Sequence, residues 1–299
     1  MKFYKRILFP TDFSECSEKG FEYALRIAKT YNAELHIFHV DIQYYNRYGP
    51  EFVIPISSED VKSYQLVLNK YMDKYVSKYG ITDTKIIKTC DTGYAAAPTI
   101  VDYAKNNGID LIVMCTYGRR GFRHMLLGSV AEEVIRTSPC NVITICNEDS
   151  IKSDPKRVLV PTDYSNHALR ALSEGYNITQ KLGADLTLLH IIEEPIPPDY
   201  YFTENETIMD HLTKMTAKDA KKRLSEIGKE AGIRLNYKIE VIKGHVASSI
   251  TKYASDNKVD LIVMGSHGHT GLTHFLLGST TDKVVRSTTC PIMIVNNKN

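Results

Sequence analysis

The sequence has almost no net charge, no Cys-x-x-C pair and no apolar run of membrane-spanning length, and each absence closes off a class of function. A formal net charge of +2 gives no electrostatic preference for nucleic acid or an anionic membrane surface. The short apolar runs exclude a transmembrane helix. Met1-Lys-Phe-Tyr-Lys-Arg6 passes into the strand-like Ile7-Leu-Phe9 rather than a signal-peptide core, so a cytoplasmic protein is expected. The six cysteines, Cys16, Cys90, Cys115, Cys140, Cys146 and Cys290, fall in or beside apolar segments, which favours free buried thiols over disulfides or a zinc site. Cys115, directly after Leu-Ile-Val-Met, is read as an inert thiol rather than a redox sensor. The GxxxxGK[ST] loop is missing, and with it the lysine and magnesium apparatus of P-loop NTPases. Neither the HIGH and KMSK-type signals of class I synthetases nor the SGGxDS loop of ATP pyrophosphatases occurs.

What the chain has instead is repetition. Arg6-Ile-Leu-Phe-Pro-Thr-Asp-Phe-Ser14 returns as Arg157-Val-Leu-Val-Pro-Thr-Asp-Tyr-Ser165, and Asp110-Leu-Ile-Val-Met114 returns unchanged as Asp260-Leu-Ile-Val-Met264. The copies are 151 residues apart at Asp12/Asp163 and 150 apart at Asp110/Asp260, the slip falling near Gly93 and Gly244. Each copy has the size of an ordinary domain, so two tandem domains are expected, 1–147 and 155–299, joined by the polar stretch Asn147-Glu-Asp-Ser-Ile-Lys-Ser-Asp-Pro155. With 43% hydrophobic and 24% charged residues, both read as soluble globular domains.

Within each copy short apolar runs alternate with longer amphipathic stretches, the pattern of parallel strands covered by helices. Strands are expected at about 6–10, 34–40, 84–89, 110–115 and 141–145, then at about 157–161, 185–192, 236–242, 260–265 and 292–295. Ser14 and Ser165 stand where helix N-caps belong, and Gly128-Ser129 and Gly278-Ser279 begin the last helix of each copy. Right-handed crossovers then give a doubly wound five-stranded parallel sheet in each half.

Ligands of such sheets bind beyond the carboxyl ends of the strands, where the strand order reverses. Two repeated motifs lie at strand carboxyl ends, Pro-Thr-Asp after the first strand and a glycine-rich loop after the fourth, and one crevice holds both if those strands are neighbours. In the second copy that loop is Gly265-Ser-His-Gly268, continuing to Gly278-Ser279-Thr280. Glycines let the backbone approach an anion, and a helix N-terminus supplies free amides and a positive dipole, so a nucleotide is the first ligand to consider. Asp12 or Asp163 would then face its base or ribose. The competing reading is that each Asp only caps its turn.

Together with the closing Ser138-Pro-Cys-Asn-Val-Ile-Thr-Ile145 and Thr289-Cys-Pro-Ile-Met-Ile-Val295, these motifs give a chain that resembles a tandem universal stress protein nearly end to end in both halves. The resemblance implies an adenine nucleotide alpha hydrolase-like α/β domain with strand order 3-2-1-4-5, often paired through its last strand, with roles in stress survival and regulation. ATP is the ligand so implied, and Mg2+ only as the usual company of its phosphates. Carried over position by position, Asp163 and Ile191 would hold the base, and Gly265, Gly268, Gly278, Ser279 and Thr280 the phosphates. His269 departs from the arginine frequent after the second glycine. The matching first-copy residues are Asp12, Val40, Gly118, Arg119, Gly128 and Ser129, but Cys115 replaces the first glycine. A Cβ there strains the backbone if the position needs positive φ, or crowds a phosphate. Against that, Arg119 and Arg120 offer charge-assisted hydrogen bonds. The second domain is therefore ranked first as a nucleotide site.

His267, His269 and His274 have no carboxylate or cysteine beside them in sequence and are read as loop histidines near phosphate rather than metal ligands. The tyrosine-rich residues 44–48 and their counterpart 195–202 follow the second strands, as a lid, a partner surface or a plain connection. No general base is evident beside the glycine loop, so the expectation is binding with at most slow hydrolysis rather than an enzyme. Three functions stay open. One is an ATP-binding regulatory module read by a protein partner, its domains paired within the chain or in a homodimer through the last strands. The others are a slow ATPase or phosphotransferase, and a nucleotide-independent scaffold whose glycines only shape a turn.

Overall fold

The computed structural model describes residues 4–42, 58–116, 127–145, 154–193, 206–234, 237–268 and 277–296. They fall into two compact units, one drawn from Met1–Ile151 together with Asn296–Asn299 and the other from Lys152–Val295. The first runs β1 (Arg6–Pro10), α1 (Glu15–Tyr31), β2 (Glu34–Ile42), α2 (Ser58–Lys78), β3 (Ile86–Gly93), α3 (Ala96–Asn106), β4 (Leu111–Cys115), α4 (Ser129–Thr137) and β5 (Asn141–Ile145). The second runs β6 (Arg157–Pro161), α5 (Asn166–Leu182), β7 (Asp185–Ile192), α6 (Glu206–Glu230), β8 (Lys238–Lys243), α7 (Val246–Asp256), β9 (Leu261–Gly265), α8 (Ser279–Ser287) and β10 (Ile292–Val295). Within the units the strand orders are β3-β2-β1-β4-β5 and β8-β7-β6-β9-β10, every pair parallel. Strand order therefore reverses between β1 and β4, and between β6 and β9.

The central strands are apolar without alternation because helices cover both faces of the sheet. Ile7, Leu8 and Phe9 of β1 and Leu111, Ile112 and Val113 of β4 are fully buried, each contributing about 1.5–3 kcal/mol of burial free energy. The Asp of the repeated Asp-Leu-Ile-Val-Met is structural. Asp110 Oδ2 accepts from the amides of Lys5 and Arg6 at 2.9 and 3.2 Å, and Asp260 Oδ2 from those of Lys156 and Arg157 at 3.1 and 2.9 Å. These bonds tie together the starts of adjacent strands, at the end of the sheet remote from the carboxyl ends.

The outer strands depart most from expectation. β2 continues to Ile42 and β3 from Ile86 to Gly93, the two staying in register through Val40/Asp91, Asp41/Thr92 and Ile42/Gly93. β3 is an edge of its sheet, half-buried along most of its length, so Lys88, Thr89 and Asp91 can sit in it without the continuous apolar run that marks a central strand. Backbone pairing with β2 carries it past the point where side-chain pattern fades. β8, Lys238–Lys243, behaves alike.

Helices α1 and α5 begin as their caps dictate. Ser14 Oγ accepts from the Ser17 amide, and Ser165 Oγ from the Ala168 amide, both at 3.2 Å. They end on left-handed residues, Asn32 (φ 51°) and Gly183 (φ 65°). Among the described residues no helix is long and apolar enough to cross a membrane.

Candidate functional site

The two repeated motifs meet at the reversal of strand order. Pro-Thr-Asp-Phe/Tyr-Ser is a turn in which two side chains hold the backbone. Thr11 Oγ1 and Asp12 Oδ1 accept from the amides of Phe13 and Ser14, both at 3.0 Å. Thr162 Oγ1 and Asp163 Oδ1 do the same for Tyr164 and Ser165, at 3.1 and 3.0 Å. Each Asp therefore does cap its turn, with one of its two oxygens. The turn holds Phe13 at φ 60° and Tyr164 at φ 68°, a left-handed conformation that costs an L-residue on the order of 1–3 kcal/mol.

That conformation lays the aromatic ring against a histidine of the neighbouring strand. Phe13 lies 4.6 Å from His39 between ring centroids, and Tyr164 lies 4.5 Å from His190. Each imidazole Nδ1 donates to the preceding threonine carbonyl, His39 to Thr11 at 2.7 Å and His190 to Thr162 at 2.9 Å. Burial pushes the Tyr164 hydroxyl up to about 12, so it stays neutral. These pairs were not among the expected site residues, although the aromatic and the histidine both repeat at the domain spacing and could have been found that way. Val40 and Ile191 follow the histidines, two residues beyond the last partners of β1 and β6 (Phe38 and Leu189). They lie where the second strand overhangs the first, Val40 half-buried and Ile191 buried.

The glycines of the second loop each answer a different close approach. A Cβ on Gly268 would lie 2.7 Å from Asp163 Oδ2, so this glycine lets the loop lie against the carboxylate and joins the two motifs. A Cβ on Gly278 would lie 3.3 Å from both His267 Cα and Ser266 O, and the Gly278 amide donates to that carbonyl at 2.9 Å. α8 thus starts folded back on the end of β9, and Thr281 Oγ1 donates to Gly265 O at 2.9 Å to fix it there. Gly278 has no side chain with which to cap, so the first turn from Ser279 and Thr280 presents the N-terminal amides and positive dipole that suit an anion. In the first domain Gly128 starts α4 identically, its amide bonded to Thr116 O at 2.6 Å and Ser129 opening the helix.

Gly265 turns out to have another reason. A Cβ there would come within 2.8 Å of His167 Cβ and 2.9 Å of the His167 carbonyl, so this glycine admits the first turn of α5 rather than a phosphate. The position takes no positive φ in either domain, which removes the backbone strain expected at Cys115. Nor does the Cys115 side chain crowd the loop. Its sulfur points into helix α1, donating to Cys16 O at 3.0 Å and lying 2.7 Å from where a Cβ on Gly20 would be.

Gly118, Arg119, Arg120, His269, His274 and the tyrosine-rich stretches lie outside the described residues. His267 does not stand alone: its ring centroid is 5.4 Å from that of His167, and Ser266 Oγ is 3.0 Å from its Nδ1. Burial first, then the neighbouring His267 and Arg170, hold the His167 imidazole below its usual range, with Asp163 acting in the opposite sense. Among the described residues no three metal-ligating side chains converge.

The model of the universal stress protein family matches residues 3–145 and again 155–296. Universal stress protein MJ0531 of Methanocaldococcus jannaschii is 29% identical over 140 residues, which cover 47% of this chain and 81% of that protein. A universal stress protein of Mycolicibacterium smegmatis is 24% identical over 298 residues, 97% of this chain and 96% of its own length. The crystal structure of a universal stress protein from Archaeoglobus fulgidus superposes with a TM-score of 0.68 at 22% identity over 98% of each chain, a likeness of fold.

Proposed function

Because the chain belongs to the universal stress protein family, with a family domain in each half, we propose that it is a regulatory protein whose second domain holds an adenine nucleotide, ATP in the first instance. The observation that carries this reading is the junction of Asp163 with Gly268, 2.7 Å from carboxylate oxygen to the site of a Cβ, beside a helix start left open at Gly278. A phosphate chain suits the amides of Gly268, Ser279 and Thr280, where the α8 dipole favours negative charge. Asp163 and the overhanging backbone at Ile191 stand on the side of β6 and β7 and suit a ribose or base. The junction is polar and narrow, and a Cβ at position 268 would fill it.

The site favours holding over turnover. Its anion-binding groups are backbone amides, Asp163 already spends one oxygen on its turn, and the His167 and His267 rings lie against each other, an arrangement that suits binding. We propose a binding module in the cytoplasm that a protein partner reads, which requires the partner to distinguish the loaded from the empty state.

A second reading, that both domains bind, is favoured by one observation. The Cys115 sulfur is turned into α1, so the ranking of the domains loses its physical basis at that residue. Protein purified gently and then denatured is expected to release adenine nucleotide, counted per chain by chromatography and mass spectrometry. One per chain, abolished by Gly268→Val, supports the second-domain reading, and two support the second. None after soaking with ATP and magnesium would overturn both and leave a nucleotide-independent scaffold.

A further inference from the structure

Three residues at one seam differ together between the domains. Where the second has His167, Ala171 and Gly265, the first has Cys16, Gly20 and Cys115. In the first domain these bring two thiols together at the switch point. Cys16 lies in the first turn of α1, and Cys115 is the last residue of β4, 99 positions away in sequence. The Cys115 sulfur bonds the Cys16 carbonyl at 3.0 Å, and Gly20 supplies the space it occupies, since any side chain there would lie 2.7 Å from it. Cys16 is buried and Cys115 is half-buried, so the pair lies at the edge of the core, with Cys115 the more accessible of the two.

Cys16 also differs electronically from Cys90 and Cys290. Contact with the Cys115 side chain holds the Cys16 thiol below its ordinary range, against burial and the nearby Asp12. Burial pushes Cys90 and Cys290 the other way, each up to about 11. The start of a helix stabilises a thiolate by its dipole as well.

From this geometry we infer that Cys16 and Cys115 form a redox couple, a dithiol that a peroxide converts to a disulfide joining α1 to β4. Hydrogen peroxide takes one thiol to the sulfenic acid with loss of water, and the second thiol displaces a second water to close the S–S bond. Two thiols and one peroxide thus give one disulfide and two waters. The bond forms directly behind the Thr11-Asp12 turn, to which α1 is already tied by Ser17 Oγ and Thr11 Oγ1 at 3.1 Å. The oxidation state of the first domain is thereby written into the turn that carries Asp12. The second domain, with histidine and glycine at these positions, has no such couple.

The test is peptide mapping of the full-length protein, fully reduced and then treated with stoichiometric hydrogen peroxide, without reductant. Two of the six thiols are expected to disappear from titration in denaturant, with Cys16 and Cys115 recovered in one cross-linked peptide pair. Cys16→Ser and Cys115→Ser, each checked for an unchanged circular dichroism spectrum, are expected to lose the cross-link and keep the remaining thiols. Recovery of Cys16 and Cys115 on separate peptides, whether untouched or over-oxidised to sulfinic acid, overturns the inference. So does pairing of either with Cys90, Cys140, Cys146 or Cys290. The readout involves no nucleotide, so it stands or falls independently of the binding proposal.

Discussion

Asp163 uses its two oxygens differently, and substitution can tell the uses apart. Oδ1 holds the Ser165 amide, and Oδ2 faces Gly268. Asn keeps an acceptor for the amide, so Asp163→Asn is expected to leave the thermal midpoint of the second domain nearly unchanged while nucleotide affinity falls about tenfold or more, a loss of roughly 1.4 kcal/mol. Asp163→Ala loses the turn as well and is expected to cost about 1 kcal/mol of stability by denaturant titration. Two glycines divide in the same way. Gly268→Ala meets only the tip of a flexible carboxylate and is expected to reduce binding with little change in stability, whereas Gly265→Ala meets helix backbone and is expected to destabilise by about 1–3 kcal/mol. His167 gives a pH signature. Its folded value lies below 6.5, so the unfolded chain takes up a proton that the folded domain refuses. Its contribution to stability is full above that value and is lost as pH falls toward the folded value. His167→Gln is expected to flatten the decline of the second domain's melting temperature with acidification, and an unchanged decline would remove His167 as a cause.

At the scale of elements, one packing problem is solved twice. α5 rests on β9 through Gly265 and on β6 through Gly175, whose Cβ would lie 2.6 Å from Val160 Cγ2, whereas α1 gives way at Gly20 to the sulfur of Cys115. Gly20→Ala gains about 1 kcal/mol of helix propensity but must displace that sulfur, so it is expected to be neutral or destabilising alone and stabilising in a Cys115→Gly background. A double-mutant cycle on chemical denaturation should return a coupling of about 1–2 kcal/mol, and additivity would show that the two residues do not compete for the space. The helices and central strands were legible because their signals are local: a serine cap at Ser14, an unbroken apolar run at Leu111–Met114. β3 was less so, since its length follows from pairing with β2 rather than from its own side chains. The helix-side reason for Gly265 was hidden for a similar cause, because a glycine in sequence does not say which neighbour approaches it. Phe13 and Tyr164 carry no sequence signal for their left-handed backbone, which two side-chain hydrogen bonds impose in the folded turn.

For the whole molecule, duplication makes each domain the control for the other. A ligand that binds only the native second domain raises that domain's melting transition by mass action, about 2.7 kcal/mol at one hundred times its Kd, and leaves the first where it was. Calorimetry with and without ATP is therefore expected to move one transition if one domain is loaded and both if two are. The strand order came with the family resemblance and the meeting of the two motifs followed from it, while the residues that distinguish the domains became meaningful only as spatial neighbours. The seam at Gly20 and Cys115 also constrains how the halves came to differ. A cysteine at the end of β4 and a side chain at position 20 of the helix compete for one space, so each is accommodated more easily where the other is absent. A path through glycine at both positions avoids that competition, so exchange between the two arrangements is easiest when one side chain is removed before the other is added.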